Sequence, residues 1–198
     1  MTQTISHQGQ STKFLSLWIA ANLLGGFFVG LLENNGLQFM ATLILTGAIV
    51  GSLQWWVLRQ TESGLRWWPL VSALGWIAST FLMIFSQGLY SPVVNFLWQQ
   101  FGLWEVFWLN LVTGPISILG MALAQGYLLS RRGRFIGPWL LASLLGGAAY
   151  GMVSASLCAA VCQALPTALV GLVNGAGWAA YGLFTGAALL WRRHRLEI

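Results

Sequence analysis

The chain has 198 residues, 57% of them hydrophobic, with nine Lys and Arg, four acidic residues and 12 Trp. Charged side chains make up 7%, about a quarter of the usual share, and a soluble domain of this size needs far more charge to cover its surface. The composition excludes a water-soluble globular protein and points to an integral membrane domain.

Residues 1–13, rich in Gln, Ser and Thr, are expected to be a disordered tail. They are not expected to act as a signal peptide, because the segment before Lys13 has no charge and no small-residue cleavage site follows the apolar run after it. A hydrocarbon core of roughly 30 Å takes about 20 helical residues. Charge-free runs of that size predict helices over 14–33, 37–59, 67–87, 105–130, 137–161 and 166–191, with Ser86-Gln87-Gly88 and the segment Cys162 to Pro166 interrupting two longer runs. Helices are required, because open strand edges in lipid leave backbone groups unpaired. Pro69, Pro138 and Pro166 fall in first turns, where the missing N–H costs nothing; Pro115 falls inside a span and is expected to kink it. Between the third and fourth spans Val94, Leu97, Trp98 and Phe101 recur at helical spacing, which predicts a short helix lying on the outer membrane surface. The expected fold class is therefore all-α integral membrane: one six-helix domain over 14–193 and a short tail over 194–198.

The basic residues set the orientation. Lys13, Arg59, Arg66, Arg131, Arg132, Arg134, Arg192, Arg193 and Arg195 all fall on one side of a six-span chain, so both termini are expected in the cytoplasm of a bacterial inner or thylakoid membrane. Trp55, Trp56, Trp67, Trp68, Trp139 and Trp191, with Trp18 a turn deeper, fit an interfacial belt on that side, while Trp76 and Trp178 fall mid-span and should pack inside.

The spans repeat. Odd ones share Trp18-Ile-Ala-Ala-Asn22-Leu-Leu-Gly-Gly, Trp68-Pro-Leu-Val-Ser72-Ala-Leu-Gly-Trp and Trp139-Leu-Leu-Ala-Ser143-Leu-Leu-Gly-Gly; even ones share Gly47-xxx-Gly51-xx-Gln54, Ala122-xx-Gln125 and Gly182-xxx-Gly186, with Leu189 where the third copy lacks its Gln. The chain thus reads as three helical hairpins. Gly26, Gly30, Gly47, Gly51, Gly182 and Gly186, at four-residue spacing, read as packing seams where membrane helices approach closely. The repeated Gly-xxx-Gly-xx-Gln-Trp-xx-Leu-Arg element, with the Trp-Trp and Leu-Gly-Trp that follow, resembles a group of small multi-pass bacterial membrane proteins found mainly in photosynthetic and filamentous lineages. The resemblance implies a helical membrane fold and supplies no catalytic residues.

Catalysis needs groups that move protons, hold metals or attack carbon. The chain has no Asp, its two His (His7 and His194) lie near the termini, and its four Glu are scattered. No acid dyad, His box or metal-ligand set can be assembled, so no enzyme activity, metal or cofactor is expected. Glu33 and Glu105, at the outer ends of spans, are expected to be solvated caps. Mid-depth polar groups are Asn22, Thr46, Ser72, Ser117, Ser143 and Asn174; Asn22, Ser72 and Ser143 occupy one repeat position and either line a small-molecule cavity or bond across helices. Gln54 and Gln125, near the cytoplasmic end, are expected to tie off helix-end carbonyls. Cys158 and Cys162 stand four apart on a helix, poor geometry for a disulfide, and are expected to be small buried apolar side chains.

These features lead to a non-enzymatic accessory, assembly or structural protein, whose partners are membrane lipid and other membrane proteins and not nucleic acid. The alternatives are a small-solute binding or transport protein, or a binder of a flat hydrophobic pigment.

Overall fold

The computed structural model describes residues 2–62, 64–131 and 135–196, and all regular structure among them is helical. The helices are α1 (Thr2–Leu32), α2 (Thr46–Leu58), α3 (Trp68–Phe85), α4 (Gln87–Phe101), α5 (Glu105–Ser130), α6 (Ile136–Val161) and α7 (Thr167–Leu196). Five helical stretches are long and apolar enough to cross a membrane: Gly9–Leu58, Trp68–Phe85, Glu105–Ser130, Ile136–Val161 and Thr167–Arg193. The first doubles back on itself. Wide π-type turns over Glu33–Leu37 and Ala41–Leu45 link α1 to α2, and the helix breaks at Asn35 and at Gly36, whose φ of 88° favours a residue without Cβ.

Two expectations need correction here. The backbone is helical from Thr2, not from residue 14, so the expected tail extends α1; once a span has nucleated the helix, each further residue adds a hydrogen bond for one residue fixed. The expected break between the first two spans is a helical kink rather than a loop. Elsewhere α3 ends at Phe85, α6 at Val161, and α7 starts at Thr167. α5 runs unbroken through Pro115.

Contacts close six helices into a ring in chain order: α1 to α2, α2 to α3, α3 to α5, α5 to α6, α6 to α7, and α7 back to α1. Neighbours run antiparallel: Asn22 meets Gln54, Ser72 meets Gln125, and Trp18 meets Thr185. α4 stands outside this ring against α5, and only its Val94 is buried. Two apolar layers fill the ring. One, at the end carrying Lys13 and the described arginines, joins Phe14, Trp18, Leu58, Trp68, Leu129, Phe135, Trp139 and Leu189. The other, at mid-height, joins Val50, Trp76, Ile118, Met121, Trp178 and Tyr181. Outside, large apolar side chains such as Phe39, Phe85 and Leu89 are more than two-thirds exposed, a surface that water does not tolerate at this scale.

Candidate functional site

The polar residues of the interior separate into a sealed core and an open cavity. In the core, Trp18, Trp68 and Trp139 stand at the same register of α1, α3 and α6 and are fully buried. Trp68 meets both others edge-on, with ring centres 6.5 Å and 5.7 Å away. One turn further along each helix lie Asn22, Ser72 and Ser143, also fully buried. Gln54 links them. Its amide nitrogen donates to Asn22 Oδ1 at 2.8 Å, and its Oε1 accepts from Trp68 Nε1 at 3.0 Å and Gln125 Nε2 at 3.1 Å. Gln125 Nε2 also donates to Ser72 Oγ at 2.8 Å. Asn22 and Ser72 donate to the carbonyls of Trp18 and Trp68, at 2.8 Å and 2.7 Å. Because an unpaired amide buried away from water costs several kcal/mol, this mutual pairing is what allows four polar side chains to sit in an apolar ring.

Gln54 and Gln125 were expected at helix-end carbonyls and are instead bonded to side chains of other helices. Trp18, Trp68 and Trp139 were assigned to the membrane interface and are core residues. The physical reason is shared: an indole N–H is satisfied by a headgroup or by an internal acceptor, and Gln54, 14 residues before Trp68, supplies the internal one. Gln125 precedes Trp139 by the same interval, and its Oε1 and the Trp139 Nε1 are both buried without a partner among the described residues. In α7, where Leu189 replaces the glutamine, Thr185 one turn earlier accepts from Trp18 Nε1 at 3.0 Å.

Asn174 lies apart from this core. It donates to the Gly26 carbonyl at 3.0 Å and accepts from the Tyr150 hydroxyl at 3.1 Å, tying α7 to α1 and α6. The glycines lie at helix crossings: a Cβ on Gly26 would strike Trp178, on Gly30 Gly171, on Gly47 and Gly51 Ser72, on Gly182 Asn22, and on Gly186 Leu15 and Trp18. Crossings at Gly75 and Gly120, and at Gly114 and Gly147, bring backbone against backbone and were not singled out from the sequence. At the first, Ser79 Oγ also accepts from the Gly120 backbone N–H at 2.7 Å, the kind of side-chain rescue that frees a membrane helix from its own ladder.

At the basic end, each described arginine lies over an aromatic ring: Arg59 over Trp55, Arg66 over Trp67, Arg131 over Tyr127, Arg192 over Phe135, Arg193 over Phe14 and Arg195 over Trp191, at 3.7–5.6 Å from the ring centres. Arg132 and Arg134 lie outside the described residues. Lys13 is exposed. Arg192 is buried and paired with Glu62 at 3.0 Å, and Arg193 donates to Thr61 Oγ1. The end of α7 is thereby tied to the turn between α2 and α3. Glu62→Ala strands a buried guanidinium, and we expect a loss of about 2 kcal/mol, read by denaturant titration in micelles; Glu62→Gln should retain part of it through the surviving acceptor.

Cys158 and Cys162 are joined in a disulfide, with Cα atoms 4.6 Å apart. This corrects the expectation of two buried apolar thiols. Cys158 is exposed, and Cys162 lies just past the end of α6, where the chain turns and the pair can close. Maleimide is expected to leave the untreated protein unlabelled and to add two labels after reduction in denaturant, read by intact mass.

The second site is a cavity of about 160 Å³ at the end opposite the arginines. Glu33, Thr42, Thr46, Asn110, Thr113, Ser117 and Tyr150 supply its polar lining and Trp76 an aromatic wall. Glu33 is half-buried and accepts from the Thr42 hydroxyl at 2.8 Å, which corrects its expected role as a solvated cap. Glu105 does stand exposed, in the first turn of α5. Compared with protein-family models, with curated proteins and with solved structures, the chain finds no match in any of the three. Its chemistry therefore has to be read from these two sites. Among the described residues no three His, Cys, Asp or Glu gather as a metal site.

Proposed function

We propose that the protein is a six-span, non-catalytic membrane protein of three helical hairpins around a pseudo-threefold axis, working as an accessory or structural subunit through its lipid- and partner-facing surface. The six-span reading counts the doubled-back Gly9–Leu58 stretch as two crossings. The threefold reading is supported by the matched Trp18, Trp68 and Trp139, the matched Asn22, Ser72 and Ser143, and the two equally spaced Trp and Gln pairs. The concentration of Lys13 and the arginines at one end supports cytoplasmic termini. α4 is the interfacial helix in this reading, with Phe96, Trp98 and Phe101 exposed for burial in the headgroup region.

One observation carries the functional part. The core at Trp18, Trp68, Gln54 and Gln125 is fully buried and its side chains bond to one another across helices, which supports a chain that acts through its outer surface. The same core spends the amides of Asn22 and Gln54 on each other, which argues against ligation of a pigment there. Mild-detergent extraction from the native membrane followed by native electrophoresis tests it. A species well above the mass of the chain with its detergent, collapsing in a harsher detergent, is the expected outcome; a lone monodisperse chain in every mild detergent would overturn the subunit reading.

A second reading, a small-solute binding protein, is favoured by the open cavity beside Glu33. It needs no path through the core, since the cavity opens at one end.

A further inference from the structure

We infer that the cavity beside Glu33 is a binding site for a small organic cation of the alkylammonium class. The inference rests on the small-solute reading above and deepens it by naming the class of ligand. Three observations carry it.

The first is the state of the polar lining. Thr46, Thr113 and Ser117 give their hydroxyl protons to the carbonyls of Ala41, Leu109 and Gly114, at 2.7, 2.7 and 2.8 Å. Thr42 gives its own to Glu33 Oε1, and Tyr150 gives its own to Asn174. The Trp76 indole N–H is bound to the Thr42 carbonyl at 2.6 Å. Asn110 gives one of its two amide hydrogens to the Val106 carbonyl at 2.8 Å, so apart from its second N–H the groups left for a guest are oxygen lone pairs and one carboxylate. Such a lining suits a guest that carries positive charge or donates, and disfavours an anion.

The second is the field. The described cations, from Lys13 and Arg59 to Arg195, gather at the opposite end of the ring. Among the described residues, no basic side chain lines the cavity that Glu33 faces. Half-burial of Glu33 raises the cost of leaving the carboxylate unpaired, and a cationic guest removes that cost.

The third is shape. A volume of about 160 Å³ is close to that of cavities that hold one benzene-sized molecule. A calcium ion takes about six to eight oxygen ligands, several of them commonly carboxylates, and this lining supplies one carboxylate. Trp76 and Tyr150 stand in the wall, and aromatic rings are the groups beside which methylated ammonium ions are held.

The test uses the full chain in nanodiscs, with choline as cation and 3,3-dimethylbutan-1-ol, its uncharged isostere, as control, by calorimetry. Choline should bind saturably and the alcohol at least tenfold more weakly. Glu33→Gln should weaken choline at least tenfold and leave the alcohol unchanged. Equal binding of cation and alcohol, or full choline affinity in Glu33→Gln, overturns the inference while leaving the small-solute reading standing. Saturation by neither overturns both. Should Glu33→Gln fail to fold, Ser117→Leu, which fills the cavity from α5, decides: loss of choline binding supports the site, and unchanged binding overturns it.

Discussion

Gln54→Leu is expected to destabilise the protein by about 2–4 kcal/mol. The substitution leaves Asn22 Oδ1 and Trp68 Nε1 buried without partners, at about 1–3 kcal/mol each. Gln125 keeps its bond to Ser72, so its own loss is smaller. Unfolding in mixed SDS micelles followed by tryptophan emission measures the difference, and Gln60→Leu, at an exposed position, should change it by less than about 0.5 kcal/mol. A Gln54→Leu protein as stable as the parent would mean that the core amides contribute nothing, since membrane-buried pairs can be weak when the unfolded chain finds substitutes.

The second large effect belongs to a glycine. At the crossing of α5 and α6, a Cβ on Gly147 would lie 2.8 Å from the Gly114 carbonyl oxygen. Both groups are backbone, so no rotamer change relieves the overlap and the two helices must separate. Gly147→Leu is expected to cost at least about 3 kcal/mol, at or beyond the usual range for overpacking. Gly137→Leu, where the same added atom meets open space, is the matched control. Equal stability of the two variants in the same titration would show that the crossing is loose.

Much of the helical layout is legible in the chain because lipid enforces it. The charge-free runs Phe14 to Leu32, Asn34 to Leu58 and Val106 to Ser130 have span length, and the breaks at Ser86 and Pro166 sit where α3 ends and α7 begins. The core was half legible. Asn22, Ser72 and Ser143 were grouped by their repeat position, but the tryptophans four residues before them were assigned to the interface. Composition cannot separate those two fates, since the amphipathic indole suits both. The signal available was facial: Trp18 and Asn22, Trp68 and Ser72, and Trp139 and Ser143 are each one turn apart, so each indole shares a face with a polar group that must point inward.

The cavity was illegible for a different reason. Glu33, Thr42, Asn110 and Tyr150 lie in four separate stretches with no common spacing, and only ring closure brings them together. Glu33 in particular reads as the residue where a span ends, and a terminal carboxylate is ordinarily wet. The break at Asn35 and Gly36 alters that by folding the following turn back so that Thr42 reaches it. Thr185 was missed because the repeat pattern looks for a glutamine at position 189, whereas a hydroxyl one turn away meets the same indole.

The stacked indoles have an optical consequence. Trp18, Trp68 and Trp139 touch in series, and Trp76 meets Trp178 with ring centres 5.8 Å apart. Chromophores this close share their excited states, so the folded protein is expected to show a coupled near-ultraviolet dichroic band that is lost when the helices part. The molecule is its own spectroscopic gauge of assembly and needs no dye.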